Sequence, residues 1–269
     1  EFNGFPDRHY ICLKDMKVER ANAMPSPYIA GLPSMYGIVG LTKYLVDDVL
    51  RDFNVQFDAA AICIRDFAMS DSQQKYSCYS PEDIRKHQMI RIITARNSWL
   101  YASLLVRVNT SMSLSQLQTW LDENRFLDGF YRLRFCGGHI FFKAGIPQLY
   151  TLEENEVSDF CNQLDGFTIA DRIELCRAGR QEGEDALDTM FRLIEESREW
   201  LVPLAVGYKS FGSRKLRKGC RKKIPHSFCD SVTGLGGLFN IRSVSELIGK
   251  SDSFFWRPSN LDFIVNGSI

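Results

Sequence analysis

Residues 10–18 read Tyr-Ile-Cys-Leu-Lys-Asp-Met-Lys-Val, and apolar and polar residues alternate in the second half of this run. Such alternation is typical of a half-buried β-strand. A loop with three prolines follows at 19–33, and Ser34 then begins a helix whose apolar spacing continues to about Leu50. Strand character returns at 55–68. This stretch therefore predicts a β-α-β unit.

A second unit of the same kind follows along the chain. Strand character is present over 91–109, and Ser113 and Gln116 have the spacing of a capping box at the start of a helix. Residues 130–143 then resemble a strand that is interrupted by a glycine pair. Two consecutive β-α-β units predict the α+β class with a ferredoxin-like (RNA-recognition-like) antiparallel sheet and helices on one face.

The rest of the chain has a less regular pattern. We expect residues 1–150 to form the ferredoxin-like core and residues 151–200 to form an acidic helical insertion, with helices near 152–164 and 184–199. Residues 201–269 should complete the core with a strand, a basic loop and an irregular C-terminal extension.

Composition excludes several classes of protein. Hydrophobic residues make up 45% of the chain and charged residues 25%, which is typical of a globular protein and excludes wholesale disorder. The eight cysteines form no C-x-x-C pair and the four histidines are scattered, which argues against a local zinc site. With no secretory signal and no apolar run long enough to span a membrane, we expect a reducing, cytoplasmic setting and no cofactor.

Charge is balanced overall but uneven along the chain. The totals are 33 basic and 33 acidic residues, yet residues 151–200 hold 5 basic and 14 acidic residues, whereas residues 201–223 hold 8 basic and no acidic ones. Because the local field decides binding, a polyanionic partner is compatible with the neutral total.

The basic run is the strongest indication of nucleic-acid binding. A folded protein gains nothing from clustered like charges unless an anion neutralises them, and each phosphate contact adds salt-dependent affinity. Gly212 and Gly219 favour a flexible loop over a helix here. The alternative is a solvated loop that the acidic stretch partly neutralises. The residues concerned are Lys209, Arg214, Lys215, Arg217, Lys218, Arg221, Lys222 and Lys223.

Two further segments are candidates for contact with RNA. The pair Gly137-Gly138 lies between Arg134 and Lys143, where a glycine lets another backbone, such as a phosphate chain, approach closely; the alternative is a simple bulge or turn. The proline-stiffened loop at 20–28 carries groups suited to recognising a base or sugar, although its prolines also suit a plain strand-to-helix crossing. Those groups belong to Arg20, Asn22, Ser26 and Tyr28.

Catalytic signatures are weak. His139, next to the glycine pair, is the best candidate for a general base, but a lone histidine near a turn is more often structural. The sequence has no nucleophile elbow, zinc-protease motif, Walker loop or dinucleotide fingerprint. The acidic residues of 153–199 have helical spacings typical of a solvated face.

Several segments resemble one family in the same order. Residues 16–46, with Ala-Asn-Ala, Ser-Pro and Gly-Leu-Pro-Ser, are similar to the N-terminal signature of Csy-two, the Cas-five member of the CRISPR type I-F complex. Tyr-Arg-Leu-Arg-Phe-Cys-Gly-Gly-His-Ile at 131–140 and Trp-Leu-Val-Pro-Leu-Ala-Val-Gly-Tyr-Lys-Ser-Phe at 200–211 resemble later segments of that family, as does 228–238. The chain departs from the family pattern at His139, where the family has serine.

The resemblance implies an RNA-recognition-like fold and a non-catalytic role in a Cascade complex. Such subunits cap the 5′ handle of CRISPR RNA beside Cas-seven-type backbone subunits, in a complex that also contains a Cas-six-type endonuclease. In compact variants without a large subunit, an added helical element is expected to recognise the protospacer-adjacent motif (PAM) of double-stranded target DNA. Residues 153–199 are the candidate for that element.

Roles for individual residues follow from this interpretation. We expect Arg20, Asn22 and Ser26 to hold handle nucleotides, with Tyr28 as a stacking platform. Arg134 and Lys143 should flank the RNA path across Gly137, Gly138 and His139. The cations of the basic run, Lys209, Arg214, Lys215, Arg217, Lys218, Arg221 and Lys222, should clamp phosphates of the handle or of the target duplex.

Two alternatives remain open. Some Cas-five relatives cut repeat RNA without a metal, and His139, Lys143 and Tyr131 would then be the acid and base. The other alternative is a scaffold subunit whose basic run binds an acidic protein partner.

Overall fold

A computed structural model describes residues 8–77, 82, 85, 92–123, 127–216, 224–248, 250–259 and 263–267. Its strands are β1 (Arg8–Asn22), β2 (Val55–Met69), β3 (Gln74–Ser77), β4 (Ile92–Ala95), β5 (Asn97–Thr110), β6 (Arg134–Phe135), β7 (Gly138–Phe141), β8 (Gln148–Glu153), β9 (Phe167–Asp171), β10 (Trp200–Lys215), β11 (His226–Asn240), β12 (Trp256–Pro258) and β13 (Phe263–Gly267). Its α-helices are α1 (Met35–Tyr44), α2 (Leu114–Asp122), α3 (Leu127–Phe130), α4 (Val157–Asn162), α5 (Ile173–Gly179), α6 (Ala186–Glu196) and α7 (Ser245–Ile248).

Four strands form the centre of the large sheet in the order β8–β1–β5–β2, and each neighbouring pair is antiparallel. Along the chain, α1 connects β1 to β2, and α2 lies between β5 and β8. The hairpin β6–β7 is inserted before β8 and pairs with β1. The predicted mixed fold with a large antiparallel sheet is therefore confirmed.

Local signals explain where the two central helices begin. The hydroxyl of Ser113 accepts a hydrogen bond from the Gln116 backbone N–H, and the Gln116 side chain accepts one from the Ser113 N–H, which forms the predicted capping box. Ser34 begins α1 as predicted, but its hydroxyl donates to the Ala205 carbonyl oxygen at 3.1 Å. That bond ties the start of α1 to β10.

The first face of the central strands packs against α1 and α2. Ile38 and Leu41 of α1 and Leu117 of α2 lie in one core with Leu104 of β5 and Ile62 of β2. Burial of such side chains stabilises the fold by roughly 1.5–3 kcal/mol each. The two central helices thus lie on one face, as the sequence predicted.

The second face is covered at one end only. Tyr10, Cys12 and Leu105 are buried there beneath α4, α7 and the 3-10 turn Asp252–Phe254. Helices from later parts of the chain therefore occupy half of the face that α1 and α2 leave free.

The later strands form a closed ring of paired strands that begins and ends at β2. Strand pairs run β2–β9, β9–β11, β11–β10, β10–β13, β13–β12 and back from β12 to β2, where Trp256 opposes Ala60. Residues 151–200 are consequently not an all-helical insertion, because β9 is part of the sheet. The C-terminal tail, expected to be irregular, instead adds β11, β12 and β13.

The basic run also differs from the expected loop where the structure describes it. Lys209, Arg214 and Lys215 lie on β10, because β10 pairs with β11 as far as Lys215 opposite His226. A bulge after Phe211 interrupts the pairing, and Gly212 there has φ +76°. Arg217, Lys218, Arg221, Lys222 and Lys223 lie outside the described residues.

Candidate functional site

The uncovered end of the second sheet face carries two cross-strand rows of side chains. In one row Phe141, Lys17, Tyr101 and Asp66 oppose one another, and in the next His139, Glu19, Trp99 and Ala68 do so. Arg134 joins the second row because it opposes His139 in the β6–β7 hairpin. We call this surface the open face; it comprises Lys17, Glu19, Asp66, Ala68, Trp99, Tyr101, Arg134, His139 and Phe141.

Strand alternation explains why these side chains point outward. Their neighbours Val18 and Leu100 are buried in the core on the α1 side, and Ile140 packs against that core. Successive residues of a strand point to opposite faces, so the open-face residues point away from it. Trp99 remains 40% exposed and Phe141 48% exposed. Large aromatic rings are therefore presented to solvent on a rigid sheet.

Charged groups surround these rings. The Arg65 guanidinium lies 4.5 Å from the centre of the Tyr101 ring and forms ion pairs with Asp66 at 3.1 Å and Asp15 at 3.6 Å. Lys17 Nζ lies 2.6 Å from Glu19 Oε1, and this hydrogen bond raises the pKa of Lys17. Cations are thus held beside the aromatic faces by carboxylates that a phosphate could replace.

The glycine pair builds the hairpin that carries Arg134 and His139. Cys136 and Gly137 form its two-residue turn with φ values of 45° and 83°, the positive values that tight hairpin turns require. Gly138 is buried, and a Cβ added there would lie 2.6 Å from the Ala21 backbone nitrogen. The backbone that approaches the glycine pair closely is therefore β1 of the same chain.

Of the residues predicted to lie in the loop at 20–28, Arg20 and Asn22 lie instead at the end of β1, because β1 pairs with β5 as far as Asn22, and Ser26 and Tyr28 lie in the loop that follows. Ser26 is buried and its hydroxyl accepts a hydrogen bond from the Tyr28 N–H, whereas the Tyr28 ring is exposed. Asn22 uses its side-chain oxygen to accept from the Met24 N–H. Arg20 is exposed at a β-bulge, with φ +63°. Asn22 and Ser26 thus stabilise the loop, and their predicted contact with RNA stays a prediction.

Tyr131 and Lys143 lie near the hairpin, outside the two rows. The Tyr131 hydroxyl donates to the Gly145 carbonyl oxygen at 2.9 Å, and Lys143 begins an exposed 3-10 turn after β7. Arg134 donates to the Leu133 and Tyr131 carbonyl oxygens, which orients its guanidinium. Of the residues predicted around the glycine pair, the structure brings Arg134 and His139 onto the open face.

The basic run lies on a projecting hairpin, which we call the arm and define as residues 209–216 and 224–230. Most of its side chains are exposed on both faces, including Phe211 and Phe228, which oppose each other. The Arg214 guanidinium lies 5.1 Å from the Phe263 ring centre. The arm therefore presents cations and aromatic rings together.

Seven of the nine open-face residues were not predicted from the sequence, namely Lys17, Glu19, Asp66, Ala68, Trp99, Tyr101 and Phe141. Alternation within 97–110 places Trp99 and Tyr101 on the side opposite Leu100 and Ala102. This alternation identifies the face of the sheet on which Trp99 and Tyr101 lie, but not whether that face is exposed. Its other end is covered by α4 and α7, which come from distant parts of the chain.

Within the described ranges, no three His, Cys, Asp or Glu side chains are grouped so as to hold a metal ion. No helix in the described part of the chain is both long and apolar enough to cross a membrane.

The family model described as CRISPR-associated protein (Cas_Csy2) matches residues 11–197, which include the open face and α1 to α6. The chain belongs to this family. It is accordingly a type I-F CRISPR protein and a component of the Cascade complex. The arm lies beyond the matched residues. Curated proteins yield no significant match to the chain.

Proposed function

We propose that this Cas_Csy2 subunit binds the 5′ handle of CRISPR RNA on its open face and performs no chemistry on it. One observation carries the proposal: Trp99 and Phe141 present exposed rings, with the half-buried Tyr101 ring beside them, next to Lys17 and Arg134 on the uncovered end of an antiparallel sheet. Single-stranded RNA is recognised mainly by stacking of splayed bases on such rings. The family membership supplies the CRISPR context.

The order of the central strands supports a ferredoxin-like, RNA-recognition-like core of the RAMP type. In chain order β1, β2, β5 and β8 are the first to fourth core strands, so the spatial order 4-1-3-2 matches that fold. Trp99 and Tyr101 lie two residues apart on β5, a middle strand. RNA-recognition domains stack bases on aromatic residues of their sheet.

The arm is the proposed phosphate clamp. Arg214 and Lys215 are exposed on it, and phosphate contacts of this kind add affinity without reading sequence. Any contact with the PAM duplex of target DNA is assigned to the arm rather than to α5 and α6. Those helices carry acidic residues such as Glu174, Asp188 and Glu195, which repel phosphates. Cas-seven-type subunits are the proposed neighbours in the complex.

The first test identifies the bound RNA. The tagged protein is purified from cells that express its repeat array, and the 5′ ends of the bound RNA are sequenced. We expect the reads to begin uniformly with one repeat-derived segment. Heterogeneous RNA, or none, would overturn handle binding and favour a protein-binding role for the arm.

The second test measures how much an aromatic ring of the open face contributes to RNA affinity. Trp99→Ala should weaken binding of the identified RNA by roughly 5- to 150-fold, because one base–aromatic stack contributes about 1–3 kcal/mol. Phe191→Ala is the matched control, since Phe191 is an exposed ring on α6, away from the open face. Fluorescence anisotropy with labelled RNA gives the dissociation constants. Equal affinities for both variants would exclude the open face.

A further inference from the structure

An apolar pocket on the α1 side of the sheet lies across the edge of β2 from the open face and has no assigned role. Its volume is about 470 Å³, within the roughly 300–1,000 Å³ that ligand sites occupy. It is formed by the loop after β1, by the end of β2 and by β9, β10 and β11. The side chains that matter here are Leu32, Phe67, Phe167, Trp200, Val202 and Leu238.

Three aromatic rings from three strands define the shape of the pocket. Phe67 comes from β2, Phe167 from β9 and Trp200 from β10. The rings of Phe167 and Trp200 are 5.2 Å apart and nearly perpendicular, at 78°. Trp200 is nevertheless 59% exposed. An exposed indole held edge-to-face at an apolar cavity leaves a π face free for a flat ligand.

The pocket and the open face lie on opposite faces of the sheet. Phe67 opposes Leu100, so its ring points to the α1 side and into the pocket, whereas the groove of about 340 Å³ that Lys17, Trp99 and Tyr101 form lies on the other face of the same strands. Arg65 also lines the pocket while its guanidinium rests on Tyr101. The pairing of β2 with β9 ends at Ile64, so one strand edge separates the two hollows.

We propose that the pocket holds one unstacked base of the RNA that crosses the open face, an inference that rests on the proposed function. The backbone would pass over the edge of β2, and the base would insert against Trp200. Among the lining side chains, all described, only Arg65 and the Trp200 indole N–H are polar. The pocket therefore accepts a base for its π surface and discriminates little between the four bases.

An apolar side chain of a partner subunit would be a different occupant. The position of the pocket favours the base, because the unpaired edge of β2 beyond Ile64 separates it from the surface proposed to carry RNA. The two occupants also predict different results. If a base occupies the pocket, loss of the Trp200 ring should lower RNA affinity through a single nucleotide. If a partner side chain occupies it, loss of the Trp200 ring should impair subunit assembly instead.

The test is a double-mutant cycle between protein and RNA. The RNA that co-purifies with the protein is resynthesised with one abasic site at each position in turn, and binding to wild type and to Trp200→Ala is measured. At one position, removal of the base should weaken wild-type binding by roughly 5- to 150-fold. Trp200→Ala should weaken binding of the intact RNA by a similar factor. Its binding of that abasic RNA should be no weaker than its binding of the intact RNA. Swapping the base there should change affinity by less than roughly threefold.

Controls separate the possible failures. Phe191→Ala, which removes a ring of similar exposure (55%), should bind every RNA like wild type. Ala30→Trp, at an exposed position on the pocket lining, should block the pocket without touching the core and reproduce the loss at the same nucleotide. Trp200→Phe keeps a ring and should retain most of the coupling, and circular dichroism of each variant checks its fold.

Three results would overturn the inference. Additive losses in the cycle would mean that Trp200 and the base do not meet. Normal RNA binding by Trp200→Ala together with lost subunit co-purification would assign the pocket to a protein partner. Wild-type protein that binds RNA but shows no position-dependent abasic penalty would leave handle binding intact and remove the pocket from it. Absence of RNA binding by the wild type would instead refute the proposed function itself.

Discussion

Replacing Asp252 with alanine should lower the free energy of unfolding by about 2–3 kcal/mol, because it breaks an ion pair with a buried arginine. Arg107 on β5 is only 2% exposed and is held by Asp58, with Nε and Oδ2 2.5 Å apart, and by Asp252. Its guanidinium also lies 4.8 Å from the centre of the Phe255 ring. The network joins the covered end of the sheet to the turn before β12.

The magnitude follows from the burial of the partners. Removing one partner of a fully buried pair typically costs about 3–5 kcal/mol. Here Asp58 still neutralises Arg107, and the Asp252 side chain is 34% exposed, so the loss should be smaller. For a chain of this size the melting temperature should fall by roughly 4–12 °C.

Denaturant unfolding measures the effect directly, and a surface ion pair provides the control. Asp165→Ala removes the partner of Arg242 at 2.6 Å, but both side chains of that pair are more than half exposed. Its cost should stay below about 1 kcal/mol. Equal losses in the two variants would refute the argument from burial.

The same pair makes a prediction about pH. Burial alone would raise the pKa of Asp252, but the hydrogen bond and the positive charge of Arg107 outweigh it and hold that pKa below its ordinary value. A carboxylate with a depressed folded-state pKa stabilises the fold above its unfolded pKa of roughly 4, and loses that contribution as pH falls through the folded value. The stability difference between wild type and Asp252→Ala should therefore be full at pH 7 and shrink in acid.

Three further outcomes are expected. Gly138→Ala should weaken RNA binding and lower stability, because its Cβ would lie 2.6 Å from the Ala21 backbone nitrogen and push the hairpin away from β1. Thermal melting measures the stability and fluorescence anisotropy the RNA affinity, and wild-type values of both would contradict the assigned packing. Arg214→Ala combined with Lys215→Ala should reduce the slope of log affinity against log salt by roughly 1.4; an unchanged slope excludes the arm. Repeat RNA incubated with the protein without metal should stay intact, whereas cleavage abolished by His139→Ala would establish an endoribonuclease.

Local sequence signals predict three of the four central strands, β1, β2 and β5, and the two central helices. The prediction of one interrupted strand over 130–143 is wrong, because these residues form the hairpin β6–β7 and the fourth central strand is β8. The capping box at Ser113 and the alternation in β2 and β5 are encoded within a few residues, and each element forms where its pattern predicts. The polar segment 69–98 is less informative. It contributes the small hairpin β3–β4, and residues 78–81, 83–84 and 86–91 lie outside the described part.

The arm shows why the basic run was predicted as a loop. Gly212 and the closely spaced cations disfavour a strand locally, yet β10 continues through them because β11 supplies backbone partners such as Phe228 for Phe211. Tertiary pairing thus overrides local propensity. The same long-range pairing places β9 in the sheet although its surroundings are helical and acidic.

Exposure of the open face depends on elements that lie far away in sequence. Tyr10 and Trp99 lie on the same face of adjacent strands, yet Tyr10 is buried beneath later elements and Trp99 is exposed. No pattern within β1 or β5 distinguishes the two. A candidate site on this sheet can therefore be located only when the covering helices α4 and α7 are known.

The division of this face coincides with two β-bulges. The register of β1 shifts between Leu13 and Met16, and that of β2 shifts between Ile64 and Asp66, at the boundary between the covered and open ends. Asp15 in the first bulge has φ +54°, and its N–H donates to the Ser103 hydroxyl at 3.1 Å. Bulges bend a strand and increase its local twist. The covered end can thus stabilise the fold through Arg107, while beyond the bulges the side chains of the same strands form the open face, where we propose that RNA binds.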